Sequence, residues 1–490
     1  RAAVPLLSLA VFFFPGAACA ADGLPGMKLE WSLDLKEPGV SHTVHFGKVE
    51  GARGVLVTLA SGKVVLVDPK GKVVLSAALD LPSESPPVAG ELLRGGGPVI
   101  VAADVWGSLY AFNEKGQRLW KFSRLEKAWD LRLPVLADLD GDGNLDIVMT
   151  DSRGHLYSLD GNGRPKFEVT ATRYRAGTPS IGDVNGDGKP EIVFGTDDGE
   201  VYALDRRGGV LWSTKLDARF GRSLPLVADV DHDGRYEVYV PTSFNARGAG
   251  LFALDAATGK LLWKADSLMQ SYRSTAVADL DGDGSDELLF ADKNTRLYRV
   301  DAKGVRRWST QMDGQGIFFA PAVADLEGNG RALIFVVVRG AGVNGRSLYI
   351  LDPAGKIVHA LPLPGGGAGS PILCRFEGRK DVSLLVLSAS GQLLCYRPEQ
   401  KPEAARILWP GLRNDTLNSG FVPSPMKAAR LPAAGPPPAA RLPVSVPRAG
   451  ESPAEPVAMV RQIVNPWEQP GTTGPPGPLT ASMLGNEYES

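Results

Sequence analysis

Residues 138–146 read Asp138-Leu139-Asp140-Gly141-Asp142-Gly143-Asn144-Leu145-Asp146, and this pattern decides the fold because the chain repeats it. Further copies run Asp183–Glu191, Asp229–Glu237 and Asp279–Glu287, and an incomplete copy begins at Asp325. The first aspartates of successive copies are 45, 46, 50 and 46 residues apart. A period of this length is that of one four-stranded blade of a β-propeller, so the spacing predicts a repeat architecture.

Each copy places oxygen-bearing groups at alternate positions, as a hard divalent cation such as Ca²⁺ requires. Positions one, three, five and nine offer side-chain oxygens, and position seven offers a backbone carbonyl. The pattern predicts about four structural Ca²⁺ sites with the ligands Asp138, Asp140, Asp142, Asn144, Asp146, Asp183, Asn185, Asp187, Lys189, Glu191, Asp229, Asp231, Asp233, Arg235, Glu237, Asp279, Asp281, Asp283, Ser285 and Glu287.

The alternative is an Asp/Gly-rich turn without a metal, because Asp, Asn and Gly favour turns for local reasons. Four copies in register favour the metal. The fifth copy has Leu333 where the last carboxylate belongs, so we expect weak binding there or none. His232 falls inside the third copy at an even position, and its side chain is expected to point away from the ion.

Short β-branched and aromatic runs surround the acidic loops, with a turn signal about every ten residues, which is typical of an all-β fold. Three further units, at about 40–75, 86–120 and 370–396, have the same strand pattern without the acidic loop. The sequence therefore predicts an eight-bladed β-propeller over 27–421, with seven blades as the alternative. Tryptophans end several repeats, and we expect them to wedge between blades rather than to stack on a cofactor. They are Trp120, Trp212, Trp263 and Trp308.

The acidic motif between apolar strands resembles the FG-GAP/VCBS repeat of integrin-α-like propellers. The second half of each blade, as in Leu251–Trp263, resembles the repeat of pyrroloquinoline-quinone dehydrogenases and of propeller lipoproteins in outer-membrane assembly. The stretch Trp409–Gly420 resembles a ring-closing segment of that second group. These resemblances imply the fold and the Ca²⁺ ligands. They carry over no catalytic residue, because the vicinal cysteine pair and metal–quinone constellation of the dehydrogenases are missing from the sequence.

The chain opens with an apolar run of signal-peptide length behind Arg1, followed by the small-x-small pattern Ala18-Cys19-Ala20. We expect a signal peptide at 1–20, a short linker at 21–26, and export to the periplasm or the cell surface. Lipidation of Cys19 is the alternative. No other segment is a candidate membrane span.

The formal net charge is −2, from 53 basic and 55 acidic side chains, so the sequence lacks the field that nucleic acid or anionic lipid would require. Cys374 and Cys395 are expected on the first and third strands of the last blade. Strands in those positions lie about 9.6 Å apart, beyond disulfide reach, so we expect free thiols.

Connections that enter the innermost strands carry arginines beside aromatic residues, on the face opposite the acidic loops. One interpretation is that these residues form a rim that binds an anionic or aromatic ligand, or an acidic loop of a partner protein. The alternative is that the arginines only donate hydrogen bonds to backbone carbonyls of the next blade. The rim residues are Arg132, Tyr174, Arg175, Phe220, Arg222, Tyr272, Arg273, Phe318 and Phe319.

Residues 422–490 are rich in proline, a composition that does not fold alone and favours extended conformers. One apolar patch, 457–467, interrupts it. The tail is either a spacer or an arm whose patch anchors a protein partner.

These features favour an exported, non-catalytic, calcium-binding propeller that serves as a protein-binding scaffold or accessory subunit of a periplasmic or surface assembly. Two alternatives stay open. One is a propeller enzyme of the polysaccharide lyase or quinone-dependent dehydrogenase type, and the other is a carbohydrate-binding adhesin.

Overall fold

A computed structural model describes residues 27–38, 44–47, 50–123, 133–243, 248–271, 275–317, 319–340, 345–399, 404–413, 415, 417–423 and 444–445. In this part of the chain the strands form eight sheets and no α-helix occurs. The predicted signal peptide, the predicted linker and the patch at 457–467 lie outside the described residues.

In residues 27–123 the strands are β1 (Met27–Asp34), β2 (Val44–Phe46), β3 (Glu50–Ala52), β4 (Gly54–Thr58), β5 (Lys63–Val67), β6 (Val73–Ala78), β7 (Val88–Gly90), β8 (Val99–Ala103), β9 (Leu109–Phe112) and β10 (Arg118–Phe122). In residues 133–317 they are β11 (Val135–Ala137), β12 (Asp146–Thr150), β13 (His155–Leu159), β14 (Pro165–Thr170), β15 (Ser180–Gly182), β16 (Glu191–Gly195), β17 (Glu200–Leu204), β18 (Val210–Lys215), β19 (Leu226–Ala228), β20 (Glu237–Pro241), β21 (Gly250–Asp255), β22 (Leu261–Asp266), β23 (Ala276–Ala278), β24 (Glu287–Ala291), β25 (Arg296–Val300) and β26 (Arg306–Gln311). The remaining strands are β27 (Ala322–Asp325), β28 (Leu333–Val337), β29 (Arg346–Leu351), β30 (Ile357–Pro362), β31 (Ile372–Phe376), β32 (Ser383–Leu387), β33 (Gln392–Pro398), β34 (Arg406–Trp409) and β35 (Val444–Ser445).

Each sheet is one blade of a β-propeller, which confirms the prediction of eight blades. Blade 1 contains β2, β4, β5 and β6, and blades 2 to 7 each contain four consecutive strands, from β7–β10 to β27–β30. Blade 8 contains β31, β32, β33 and β1. Additional strands join three sheets: β3 beside β31, β34 beside β27, and β35 beside β14.

Burial follows from the position of each strand in its blade. The second strands, such as β4, β8, β12 and β16, are buried at all five residues, because they lie in the middle of a blade that is covered on both faces. The first strands of successive blades contact one another and line the central channel. Fourth strands such as β6 alternate between exposed and buried residues because they form the outer edge. The cores therefore lie between blades, as in other repeat folds.

The ring is closed by the N-terminal strand of the described chain. Strand β1 pairs antiparallel with β33 and becomes the fourth strand of blade 8. Glu30 on β1 forms ion pairs with Arg379 and Arg397 of the same blade. Closure thus links the start of the propeller to its last blade.

Each tryptophan of an outer strand wedges against the next blade, as predicted. The indole Nε1 of Trp120 donates to the carbonyl of Gly161 at 3.1 Å, and its ring lies against Gly163. Equivalent bonds of 2.8–3.1 Å join Trp31 to Pro69, Trp212 to Ala256, Trp263 to Ala302 and Trp308 to Pro353. The Trp31 contact crosses the closure from blade 8 to blade 1. The contacts identify these rings as packing groups.

Residues 404–413, 415 and 417–423, here called the channel segment, do not close the ring, which corrects the expectation for Trp409–Gly420. Strand β34 pairs with β27, the innermost strand of blade 7. Farther on, amides of four other innermost strands donate to its backbone carbonyls at 2.8–2.9 Å: Leu373 to Pro410, Leu136 to Leu417, Ile181 to Ser419 and Val227 to Gly420. Because β1 already completes blade 8, this segment is free to occupy the channel.

Cys374 and Cys395 lie on β31 and β33, with β32 between them. Both thiols are free and buried, as predicted. Burial raises the pKa of each thiol, which leaves both groups protonated and unreactive at neutral pH.

Candidate functional site: acidic loops and the opposite rim

The four acidic loops join the first and second strands of blades 3 to 6, and they lie on the opposite face from the connections that enter the first strands. The first aspartate organises each loop. In blade 3, Asp138 accepts from the amides of Gly141 at 2.8 Å and Gly143 at 2.9 Å. Asp183, Asp229 and Asp279 accept from loop amides in the same way. The loop backbone therefore holds this carboxylate in a fixed orientation.

In three of the loops, carboxylate oxygens from three side chains converge to within 4.8 Å of one another. These groups are Asp138, Asp140 and Asp142; Asp229, Asp231 and Asp233; and Asp279, Asp281 and Glu287. In blade 4, Asn185 replaces an aspartate at position three, and its amide oxygen accepts from Asp187. The amides at position seven, in Asn144, Lys189, Arg235 and Ser285, donate to the aspartate at position five.

The last carboxylate of each loop turns inward at the start of the second strand. Leu139, Val184 and Leu280, at position two, donate their amides to Asp146, Glu191 and Glu287. Burial raises the pKa of Glu191 and of Glu237 to about 8, and nearby aspartates add to the effect. Ionising either glutamate in its loop is therefore unfavourable.

Two of the loops contain a basic side chain from their own blade. In blade 3 the Lys166 ammonium lies 2.6 Å from Asp140 and 2.9 Å from Asp146. In blade 6 the Arg299 guanidinium pairs with Asp281 and, at 3.0 Å, with Glu287. Each cation lies between the carboxylates at loop positions three and nine. A metal ion bound in the loop would contact the same oxygens.

The loops of blades 4 and 5 differ. Among the described residues, no lysine or arginine pairs with Glu191 or Glu237. The residues equivalent to Lys166 are Leu211 and Leu262, and those equivalent to Arg299 are Ala203 and Ala253. The fifth loop has its own cation, because Arg406 of the channel segment lies 3.4 Å from Asp325. The pattern sorts the loops into those with an internal cation and those without.

Neighbouring loops also touch. His232 Nε2 lies 3.1 Å from Asp286 Oδ2 in the loop of the next blade, so its side chain points away from its own loop, as expected. In the same way, Asn144 Oδ1 accepts from the amide of Arg94 in blade 2. Side-chain contacts therefore join the loop of blade 5 to that of blade 6, and the loop of blade 3 to blade 2.

On the opposite face, the structure brings two of the predicted rim connections together through Asp197. The amide of Asp197 donates to the carbonyl of Arg175 at 2.9 Å, and its carboxylate accepts from the amide of Gly221 at 3.0 Å. The Arg175 guanidinium lies 3.7 Å from the same carboxylate. Arg222 is half-buried and its amide donates to Ser243. Tyr174 is 46% exposed.

Phe220 does not belong to this rim. Its side chain is fully buried and meets Phe252 edge-to-face at 5.5 Å, because the connection folds it into the core between blades 4 and 5. Phe319 is partly buried against the core of blades 7 and 8. Arg132, Tyr272, Arg273 and Phe318 lie outside the described residues.

Sequence reasoning missed the interior of the ring. Arg413, in the channel segment, is fully buried, and burial lowers its pKa to about 9. The run Arg413-Asn414-Asp415, which brings two charged residues into the stretch 409–420, was the signal that could have revealed it.

Comparison with known proteins supports both repeat types. Residues 197–367 match the family described as outer membrane protein assembly factor BamB, and residues 138–194 match the FG-GAP-like repeat. No sequence among curated proteins matches the chain.

Among solved structures, BamB from Moraxella catarrhalis is 15% identical, with a TM-score of 0.52, over 76% of this chain and 98% of that one. Sqt1 from Saccharomyces cerevisiae is 12% identical, with a TM-score of 0.57, over 75% of this chain and 98% of that one. In the described part of the chain, no helix has the length and apolar character needed to cross a membrane. The chain is an eight-bladed β-propeller in which residues 138–194 are similar to the FG-GAP-like repeat and residues 197–367 are similar to the BamB family.

Proposed function

We propose that this chain is an exported, non-catalytic protein-binding propeller that acts as a scaffold or accessory subunit of a periplasmic or surface assembly. The observation that carries the proposal is the match of residues 197–367 to the BamB family, whose description is that of an outer membrane assembly factor. The fold match to BamB over 98% of its chain agrees with it.

The filled channel supports a non-catalytic role. Ligand sites in folded proteins are concave, and the axial channel is the deepest concave feature that a propeller offers. Here the channel segment occupies it, with Trp409 and Arg413 fully buried. Partners would then meet the outer faces of the ring rather than its axis.

The face with the rim connections is the proposed docking surface. Arg175, Arg222 and Tyr174 lie on two connections that Asp197 ties together, so they are presented on a fixed frame. Arginine and tyrosine are enriched at the energetic centres of protein interfaces. An acidic partner loop fits the charge of this surface.

Calcium is proposed as a structural ion of the opposite face. Oxygen ligands at alternate positions suit Ca²⁺, and the ion would neutralise carboxylates that burial makes costly to ionise. The loops of blades 4 and 5 are the proposed primary sites, because Glu191 and Glu237 have no basic partner among the described residues.

The test is a native co-purification in millimolar calcium that compares three proteins by mass spectrometry: the full chain, a chain that ends at Pro423, and the full chain with Arg175→Ala and Arg222→Ala. A stoichiometric companion that the double variant loses supports docking on the rim face. Loss on truncation instead assigns docking to the tail, which leaves the scaffold role intact.

A matched control is Arg118→Ala, because Arg118 is half exposed on an outer strand and pairs with Asp80 at 3.0 Å. It should retain the companion. If no protein companion is found with any variant, the scaffold function is wrong. Activity on an acidic polysaccharide, or on an alcohol with added quinone, would contradict the non-catalytic role.

A further inference from the structure

The guanidinium of Arg413 lies inside the ring with only part of its hydrogen-bonding capacity used. Its Nη2 donates to Ser180 Oγ at 2.5 Å and to the carbonyls of Pro225 at 3.0 Å and Ser419 at 3.5 Å. Its Nε and Nη1 are fully buried and have no hydrogen-bond partner among the described residues. A guanidinium carries five N–H donors, and leaving buried donors unmet is costly.

The positive charge of Arg413 is only partly balanced by its surroundings. Asp415 is the nearest carboxylate in sequence and its charge attracts that of Arg413, but it accepts its hydrogen bonds from the amide and the hydroxyl of Ser419. Among the described residues, no carboxylate forms an ion pair with Arg413. A buried charge that is neither paired nor fully hydrogen-bonded is strongly unfavourable.

Other polar atoms without partners belong to the same interior. Trp409 Nε1, another donor, and Asn418 Oδ1 lie on the channel segment and are buried without a hydrogen bond to any described residue. The hydroxyl of Thr275 is likewise buried without a partner, directly before β23, which β34 contacts. Donors outnumber acceptors in this set, which favours an anion over a cation.

An apolar cluster covers the interior at the end of the rim connections. Leu412 packs against Leu133, Leu224 and Ala320, which precede the first strands of blades 3, 5 and 7. Such a cover excludes bulky ligands and bulk solvent. A water molecule alone would satisfy hydrogen bonds but would leave the charge uncompensated.

We propose that the interior of the ring binds a small inorganic anion of the halide class, held by the Nε and Nη1 donors of Arg413. The anion would complete the hydrogen bonds of the guanidinium and neutralise it, and so hold the channel segment in the ring. The site stands apart from the acidic loops and from the proposed docking surface, so it does not depend on the protein-binding function.

The test is a crystal structure of the full chain purified and crystallised in sodium bromide, with data collected at the bromine absorption edge. An anomalous peak within hydrogen-bond distance of Arg413 Nε or Nη1 is the expected result. The absence of such a peak, with water molecules in its place, would overturn the proposal.

The second measurement is the melting temperature in sodium bromide against sodium gluconate at equal ionic strength, because gluconate is an organic anion far larger than a halide. The wild type should melt at a higher temperature in bromide, and Arg413→Gln should lose this difference. Arg379→Gln is the matched control, since Arg379 is a half-buried arginine that pairs with Glu30 outside the channel. It should retain the bromide effect. An equal bromide effect in Arg413→Gln would refute the assignment.

Discussion

The Lys166 ammonium lies 2.9 Å from the Asp146 carboxylate and 2.6 Å from Asp140, inside a loop whose oxygens are spaced for a metal ion. A lysine that meets these oxygens competes with a divalent cation for the same charge. If the four loops bind calcium as proposed, this relationship predicts that they differ in calcium affinity although their acidic residues are alike.

Lys166→Met should raise the calcium affinity of the blade 3 loop. Removing the competing charge is expected to strengthen binding roughly tenfold, which corresponds to about 1.4 kcal/mol. Isothermal titration calorimetry of the purified protein measures the change. Lys121→Met serves as the control, because Lys121 pairs with Asp80 on an outer strand away from the loops.

Leu211→Lys is the reciprocal variant in blade 4. Leu211 has the strand position that Lys166 has in blade 3, so the new ammonium should reach the blade 4 carboxylates and weaken one calcium site by a similar factor. An unchanged number and affinity of sites in this variant would show that internal cations do not set calcium affinity.

Stability without metal should fall as the pH rises from about 5 to 8. Burial raises the folded-state pKa of Glu191 and of Glu237 to about 8, above the ordinary value of 4.5. The folded protein therefore binds more protons than the unfolded chain across this window, and stability is lost as these protons leave. Melting curves in a chelator from pH 5 to pH 8 measure the effect.

Calcium should reverse this loss, so the calcium-induced rise in melting temperature should be larger at pH 8 than at pH 6. The paired variant Glu191→Gln with Glu237→Gln should flatten the pH dependence in the chelator. A chelated protein as stable at pH 8 as at pH 6 would contradict the prediction.

Gly304→Ala should destabilise the contact between blades 5 and 6. Gly304 has φ +76°, and an added Cβ would come within 2.6 Å of the Trp263 ring. We expect a loss of about 2–4 kcal/mol from strain and the displaced ring. Gly378→Ala is the control, since Gly378 has φ +73° but open space around it. Urea unfolding should show the larger loss for Gly304→Ala, and equal losses would mean that the ring contact contributes nothing.

Glu30→Gln should weaken the ring closure. Glu30 joins β1 to Arg379 and Arg397 at a half-buried position, so its loss leaves two guanidinium groups without their shared anion. We expect a loss of about 1–3 kcal/mol in urea unfolding. Glu114→Gln should change stability by less than about 0.5 kcal/mol, because the Glu114–Arg53 pair is exposed.

Much of the fold was predictable because it repeats. The acidic loops, the tryptophans of the outer strands and the strand patterns recur at blade spacing. Each repeat therefore predicts the same local structure independently of the others. The positions of Cys374 and Cys395 followed from the same repeat. The rim was less predictable, because an aromatic residue beside an arginine in a connection can turn either to solvent or to the neighbouring blade. Phe220 turns to the neighbouring blade and is buried.

The sequence by itself determined the repeat architecture, the face that bears the acidic loops and the oxygen-bearing groups in these loops, since all three depend on local periodicity, and it favoured eight blades over seven. Only the tertiary structure decided which loops contain a cation, how the ring closes and what fills its channel. Lys166 reaches its loop from another strand, β1 joins a blade more than 300 residues away, and Arg413 meets Ser180 across 233 residues. Contacts of that kind depend on the closed ring, which brings distant segments together, and no local pattern encodes them.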